Sequence, residues 1–93
     1  MRDVESALLE TEQFSWSNEN GQFAIEEDAN AEGTYTVVAG IPNDDDEELL
    51  LERWLTAVFL AVPDAAVEDA DVIETDRWGN PPSAAVRITF AAE

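Results

Sequence analysis

The sequence predicts a small α+β domain: about five short strands in one antiparallel sheet, with helices packed on one face. Three observations carry this expectation. A long, strongly apolar helical segment covers positions 43–62, alternating β-branched runs cover 34–41 and 84–91, and turn signals separate short segments along the whole chain. The 93 residues suit a single domain spanning 1–93, and 45% of them are hydrophobic, enough to form a core. Fourteen residues are Ala, which have little side chain to bury, so the core is modest and open to completion by a partner surface.

Taken in order, positions 3–13 read as a short amphipathic helix. Val4, Ala7, Leu8 and Thr11 recur at i, i+3, i+4 and i+7, and Asp3 can cap with Ser6 three residues on. Leu8-Leu9 followed by Thr11 and Gln13 also permits entry into a strand. Phe14-Ser15-Trp16 alternates, positions 17–21 form a turn cluster ending in Asn20-Gly21, and Gln22 to Glu27 resumes alternation. Together they predict a hairpin of two short strands. After a loop at 28–33, Thr34 to Ile41 is the clearest strand, with Tyr35, Val37, Ala39 and Ile41 on one face and Pro42 closing it. Val38 on the other face predicts an interior strand.

The helix at 43–62 starts with Asn43 as a favoured N-cap and Asp46 three residues on, in a capping-box-like arrangement. The acids Asp44 to Glu48 complement the positive end of the helix dipole. At about 100° per residue, Leu50, Leu51, Trp54, Leu55, Ala57, Val58, Phe59, Ala61 and Val62 span well over half the circumference. The polar stripe is reduced to Glu52, Arg53 and Thr56, with Leu49 and Leu60 intruding on it. That is more apolar face than one sheet can cover. Pro63 stops the helix, 64–70 reads as an acidic, Ala-rich connection, and the last two strands are 71–78 and 84–91. Pro81-Pro82 between them cannot donate to a ladder and predicts a longer loop. The resulting order, α-β-β-β-α-β-β, is similar to that of the secretion-chaperone-like fold, whose small dimeric domains bind other polypeptides.

The charge balance bounds the partners. There are 22 acids against 4 Arg, with no Lys and no His, for a net charge of −18. A compact chain must withstand that self-repulsion, and at molar salt the Debye length falls to about 3 Å, so most carboxylates stop sensing one another. An acid-rich, Lys-free, Ala- and Val-rich composition with Arg as the only cation resembles that of proteins of halophilic archaea. The resemblance implies a cytoplasm at molar salt and no particular activity. An acidic binder of basic proteins or a nucleic-acid mimic is the competing reading of the charge. The acids here are spread through every segment, which favours salt adaptation. Four Arg cannot form a phosphate-tracking patch, so direct nucleic-acid binding is not expected.

Most catalytic templates are missing from the residue inventory. Without His or Cys there is no Ser-His-Asp or Cys-His pair, no disulfide and no thiolate metal site; without Lys there is no Schiff base. The Gly residues lie too far apart for a phosphate loop. A carboxylate-only enzyme remains as a third reading, and Asp44 to Glu48 could in principle hold a hard cation. They lack EF-hand spacing and are accounted for as first-turn acids, so neither a cofactor nor a metal is expected. The N-terminal stretch has no apolar signal core and the longest apolar run is far too short to cross a bilayer, which predicts a cytoplasmic location without a membrane.

These observations predict a non-enzymatic interaction module whose partner is a second copy or another protein. Its expected surface is drawn from Leu49, Trp54, Phe59 and Leu60 on the long helix, with Trp78 at a strand end. Trp16 is expected at a strand end too. Arg53, Arg77 and Arg87 are expected to anchor nearby carboxylates.

Overall fold

A computed structural model describes residues 4–42, 46–79 and 82–92. It contains three helices and four strands: α1 (Val4–Leu9), α2 (Glu12–Glu19), β1 (Phe23–Glu27), β2 (Thr34–Gly40), α3 (Glu47–Ala61), β3 (Ala66–Thr75) and β4 (Ser83–Ala91). The α+β class and the antiparallel sheet stand as expected. The count is four strands and three helices instead of five and two, and the order is α-α-β-β-α-β-β. The element order shared with the secretion-chaperone-like fold therefore does not hold.

The difference arises at Thr11. Its hydroxyl donates to Leu8 O at 2.6 Å, ending α1, and accepts from Phe14 N at 3.4 Å, capping α2. Thr is a favoured N-cap and Glu12 adds an acid to the first turn, so a second helix begins where a strand was expected. Phe14-Ser15-Trp16 alternates over only three residues. On a helix the same stretch turns Phe14 and Ser17 inward, three positions apart, and leaves Trp16 half-buried.

The sheet order is β1-β2-β4-β3, all antiparallel. Cross-strand register sets Ile25 beside Val37, Val37 beside Ile88, and Ala39 between Phe23 and Val86. Those residues share one face with the inward side chains of all three helices, Leu8, Phe14, Trp54 and Val58 among them. Aromatic pairs add directional contacts: Phe14 meets Phe23 edge-on at 6.0 Å, and Tyr35 stacks on Phe90 at 5.9 Å.

β3 begins at Ala66, inside the stretch expected to be a connection. Val67 faces Phe90 and Asp69 faces Thr89, so Glu68 is an extra residue in a β-bulge. The bulge shifts the two-residue phase and lets both Val67 and Ala70 pack on the core despite standing three apart. Strict alternation fails there, which is why the strand was invisible as a pattern. The bulge and the acids of β3 also blunt an edge strand against further pairing.

On the face away from the helices, Arg87 pairs with its cross-strand neighbour Asp71 at 3.0 Å, and Thr36 and Thr89 share a hydrogen bond at 3.1 Å. Arg77, just past β3, reaches Glu26 on β1 at 3.2 Å. β1 and β3 are opposite edges of the sheet, so this pair forms only because the chain after β3 turns back across that face. Val38 and Ala85 are buried there as well. Both ion pairs are substantially exposed, and pairs of this kind contribute about 0–1 kcal/mol.

Candidate interaction surface

α3 starts later than expected. Asp46 is its N-cap, accepting from Leu49 N at 3.0 Å, and only Glu47 and Glu48 lie in the first turn. The expected capping role of Asn43 and the acids Asp44 and Asp45 fall outside the described residues. At the other end Pro63 lacks an N–H and disfavours helical backbone at Val62, which leaves the helical region at φ −131°, ψ 84° and closes the helix through a bond to Val58 O.

The inward face of α3 presents Leu50, Trp54, Ala57, Val58 and Ala61. Leu51 and Leu55 pack at the margin. This removes Trp54 from the expected exposed surface: it is 4% exposed and belongs to the core. The physical reason lies in a partner hidden in the sequence. The Trp54 indole N–H donates to Ser17 Oγ at 3.2 Å, and Ser17 in turn donates to Gly40 O at 2.6 Å. A tryptophan can be buried this deeply because its one polar atom is satisfied. Ser17 is itself fully buried, so one hydroxyl ties α2, α3 and β2 together. Trp16 packs edge-on against Trp54 at 6.3 Å.

The outward stripe of α3 carries Leu49, Glu52, Arg53, Thr56, Phe59 and Leu60, all exposed. Leu49 is 43% exposed, Phe59 46% and Leu60 70%, and these are the exposed large hydrophobic side chains among the described residues. All three lie on a single helix, with Phe59 and Leu60 adjacent at its C-terminal end. Trp78, the remaining expected surface residue, is half-buried after β3 and does not join this stripe.

Two shallow clefts run along the seam between α2 and α3. One, of about 430 Å³, is lined by Ala7, Glu10, Thr11, Leu60 and Ala61 among others. The second, of about 400 Å³, is bordered by Trp16, Pro42, Leu50, Arg53 and Trp54. Glu12 and Gln13 line both. Leu60 thus belongs at once to the exposed stripe and to the wall of a cleft. Of the described arginines, Arg77 and Arg87 hold carboxylates as expected, whereas Arg53 makes no ion pair with a described residue.

Among the described residues, no group of three or more acids stands close enough to hold a metal ion, and no helix is long and apolar enough to cross a membrane. Among the described residues Ser17 is the buried polar side chain, and no local pattern in the sequence marks it, because its partners in α3 and β2 lie 37 and 23 positions away. The chain matches no protein-family model, and neither a curated protein nor a solved structure matches it.

Proposed function

We propose that this chain is a non-enzymatic protein-interaction module, adapted to the molar-salt cytoplasm of a halophilic archaeon, that associates with a second copy of itself through the outward stripe of α3. The observation that carries the reading is the exposure of Leu49, Phe59 and Leu60 on a helix whose other face is already fully seated. Exposed apolar side chains gathered on one element, beside a cleft, are the ordinary form of a docking surface. A chain with −18 charge has no need of three large apolar side chains in water, since solubility and monomeric dispersion are served by acids.

Salt adaptation supplies the reason for a like partner. Two copies at −18 repel at low ionic strength, and the repulsion is screened over about 3 Å at molar salt, where apolar contact then prevails. The acids of the described residues occur on α1, α2, β1, α3 and β3 and in the turns and loops between them. Such spreading favours salt adaptation over a mimic of nucleic acid, for which one acidic face would be needed.

Light scattering across a KCl series tests the proposal, with circular dichroism recorded on the same samples. Self-association strengthens as KCl rises while the helical signal holds. A chain that stays monomeric at every salt concentration at which it is folded would contradict the proposal. Association with added basic protein that weakens with salt, without self-association, would support the acidic-binder reading in its place.

A further inference from the structure

Asn20-Gly21 is the one Asn-Gly pair in the chain, and it forms the corner between α2 and β1. Asn is among the chemically labile residues. A following glycine makes the lability greatest, because no side chain shields its backbone nitrogen from the asparagine amide carbon. Asn20 is exposed, and Gly21 sits at φ +70° with open space where a Cβ would project. The reactive pair is therefore at the surface. In the folded turn, however, both reacting groups are engaged. Gly21 N donates to Asn18 O at 2.9 Å. The Asn20 side-chain amide donates to Trp16 O at 2.8 Å, and its backbone N–H donates to the same carbonyl at 3.2 Å. The C-cap backbone at Asn20 is held near ψ 5°.

We propose that Asn20 is a fold-gated modification site, deamidated by water when the C-terminal end of α2 opens and protected while it is closed. On opening, the Gly21 amide nitrogen gives its proton to a solvent base and attacks Asn20 Cγ. The new N–Cγ bond closes a five-membered succinimide; the Cγ–Nδ2 bond breaks, Nδ2 takes a proton from water, and ammonia leaves. Water then adds to either ring carbonyl, the bond from that carbon to the ring nitrogen breaks, and the nitrogen regains a proton, giving the aspartyl product from attack at Cγ and the isoaspartyl product from attack at the Asn20 backbone carbonyl. One water is consumed and one ammonia released, with no change of oxidation state. Ring closure requires the reacting atoms to meet in a near-attack arrangement, which the three hydrogen bonds of the closed turn oppose.

The product cannot restore the corner. A carboxylate at this position loses the side-chain N–H donor to Trp16 O and sets a negative charge at the negative end of α2, whose last turn has no basic residue. The isoaspartyl form also lengthens the backbone by one atom, inside a corner fixed by Gln22 N to Ser17 O at 2.9 Å and Gly40 N to Gln22 O at 2.7 Å. Ser17 is the buried hydroxyl that joins α2, α3 and β2, so damage at the corner reaches the core. The site acts as an irreversible record of the fraction of time that α2 spends open.

The test is mass spectrometry of the full chain in mildly alkaline buffer, with peptide mapping for isoaspartate. One sample is held in KCl that preserves its circular dichroism, and another is unfolded in urea at the same pH. The amide-to-acid mass gain is expected at Asn20 in the unfolded chain and at least about ten-fold slower in the folded one. Asn20→Gln should remove the fast phase in urea. Equal rates in the two samples would overturn the gating. A fast phase that maps to Asn18 or Asn30, or that survives Asn20→Gln, would overturn the site.

Discussion

The two helices that flank the seam solve opposite problems. α2 is short and polar, buries only Phe14 and Ser17, and is held by side-chain hydrogen bonds at Thr11 and Ser17. α3 is long and apolar, buries five residues, and still leaves Leu49, Phe59 and Leu60 in water. α2 has too little apolar surface to anchor itself by burial alone. α3 has more than the sheet can use. The contrast shows that apolar content does not report on how firmly an element is tied to its own fold. The polar helix is tied by specific contacts, and the surplus on the apolar one stays in water.

The largest effect expected is loss of the fold on dilution to low salt, where the full repulsion among 22 acids opposes a modest core. The far-ultraviolet circular dichroism should fall toward that of an unfolded chain, with α2 going no later than α3. A spectrum unchanged on dilution would remove salt adaptation from the account. Next comes Phe14→Ala, which empties the main apolar anchor of α2. It should destabilise by about 3–5 kcal/mol in urea titrations at high salt. A cost under about 1 kcal/mol would mean that α2 is dispensable to the core.

A smaller loss is expected from Ser17→Ala, which leaves the Trp54 indole N–H without its partner and Gly40 O without its donor. The expected cost is about 1–3 kcal/mol. Ser17→Thr, which keeps the hydroxyl but crowds a fully buried site, separates hydrogen bonding from packing. If Ser17→Ala proves neutral, the hydroxyl is not what seats α2 against α3. The smallest effect on stability, within about 0.5 kcal/mol, belongs to charge substitutions on the outward stripe of α3, such as Leu60→Glu. Their effect should appear in association instead.

The same contrast explains what could be read from the residues alone. β2 and β4 were legible because Tyr35, Val37 and Ala39, and Val86, Ile88 and Phe90, alternate without interruption and lie beside one another in register. α3 was legible through its period, and with it the outward positions of Leu49 and Leu60 on the polar stripe. α2 was not, because its seating depends on Thr11 facing two ways and on a buried serine, neither of which leaves a periodic trace. The start of β3 was hidden by the bulge at Glu68. Trp54 shows the limit most clearly. Its place on the apolar arc was correct, but whether it faced a partner or the core depended on Ser17, thirty-seven positions away. Long-range polar partnership of this kind has no local signature.

The central claim is that the surplus face of α3 joins two copies of the chain. Sedimentation equilibrium in molar KCl of the parent and of a Phe59→Glu/Leu60→Glu double variant addresses it directly, with circular dichroism confirming that both are folded. The account predicts a dimer for the parent and a folded monomer for the variant. A parent that sediments as a monomer, or a folded variant that remains a dimer, would contradict it.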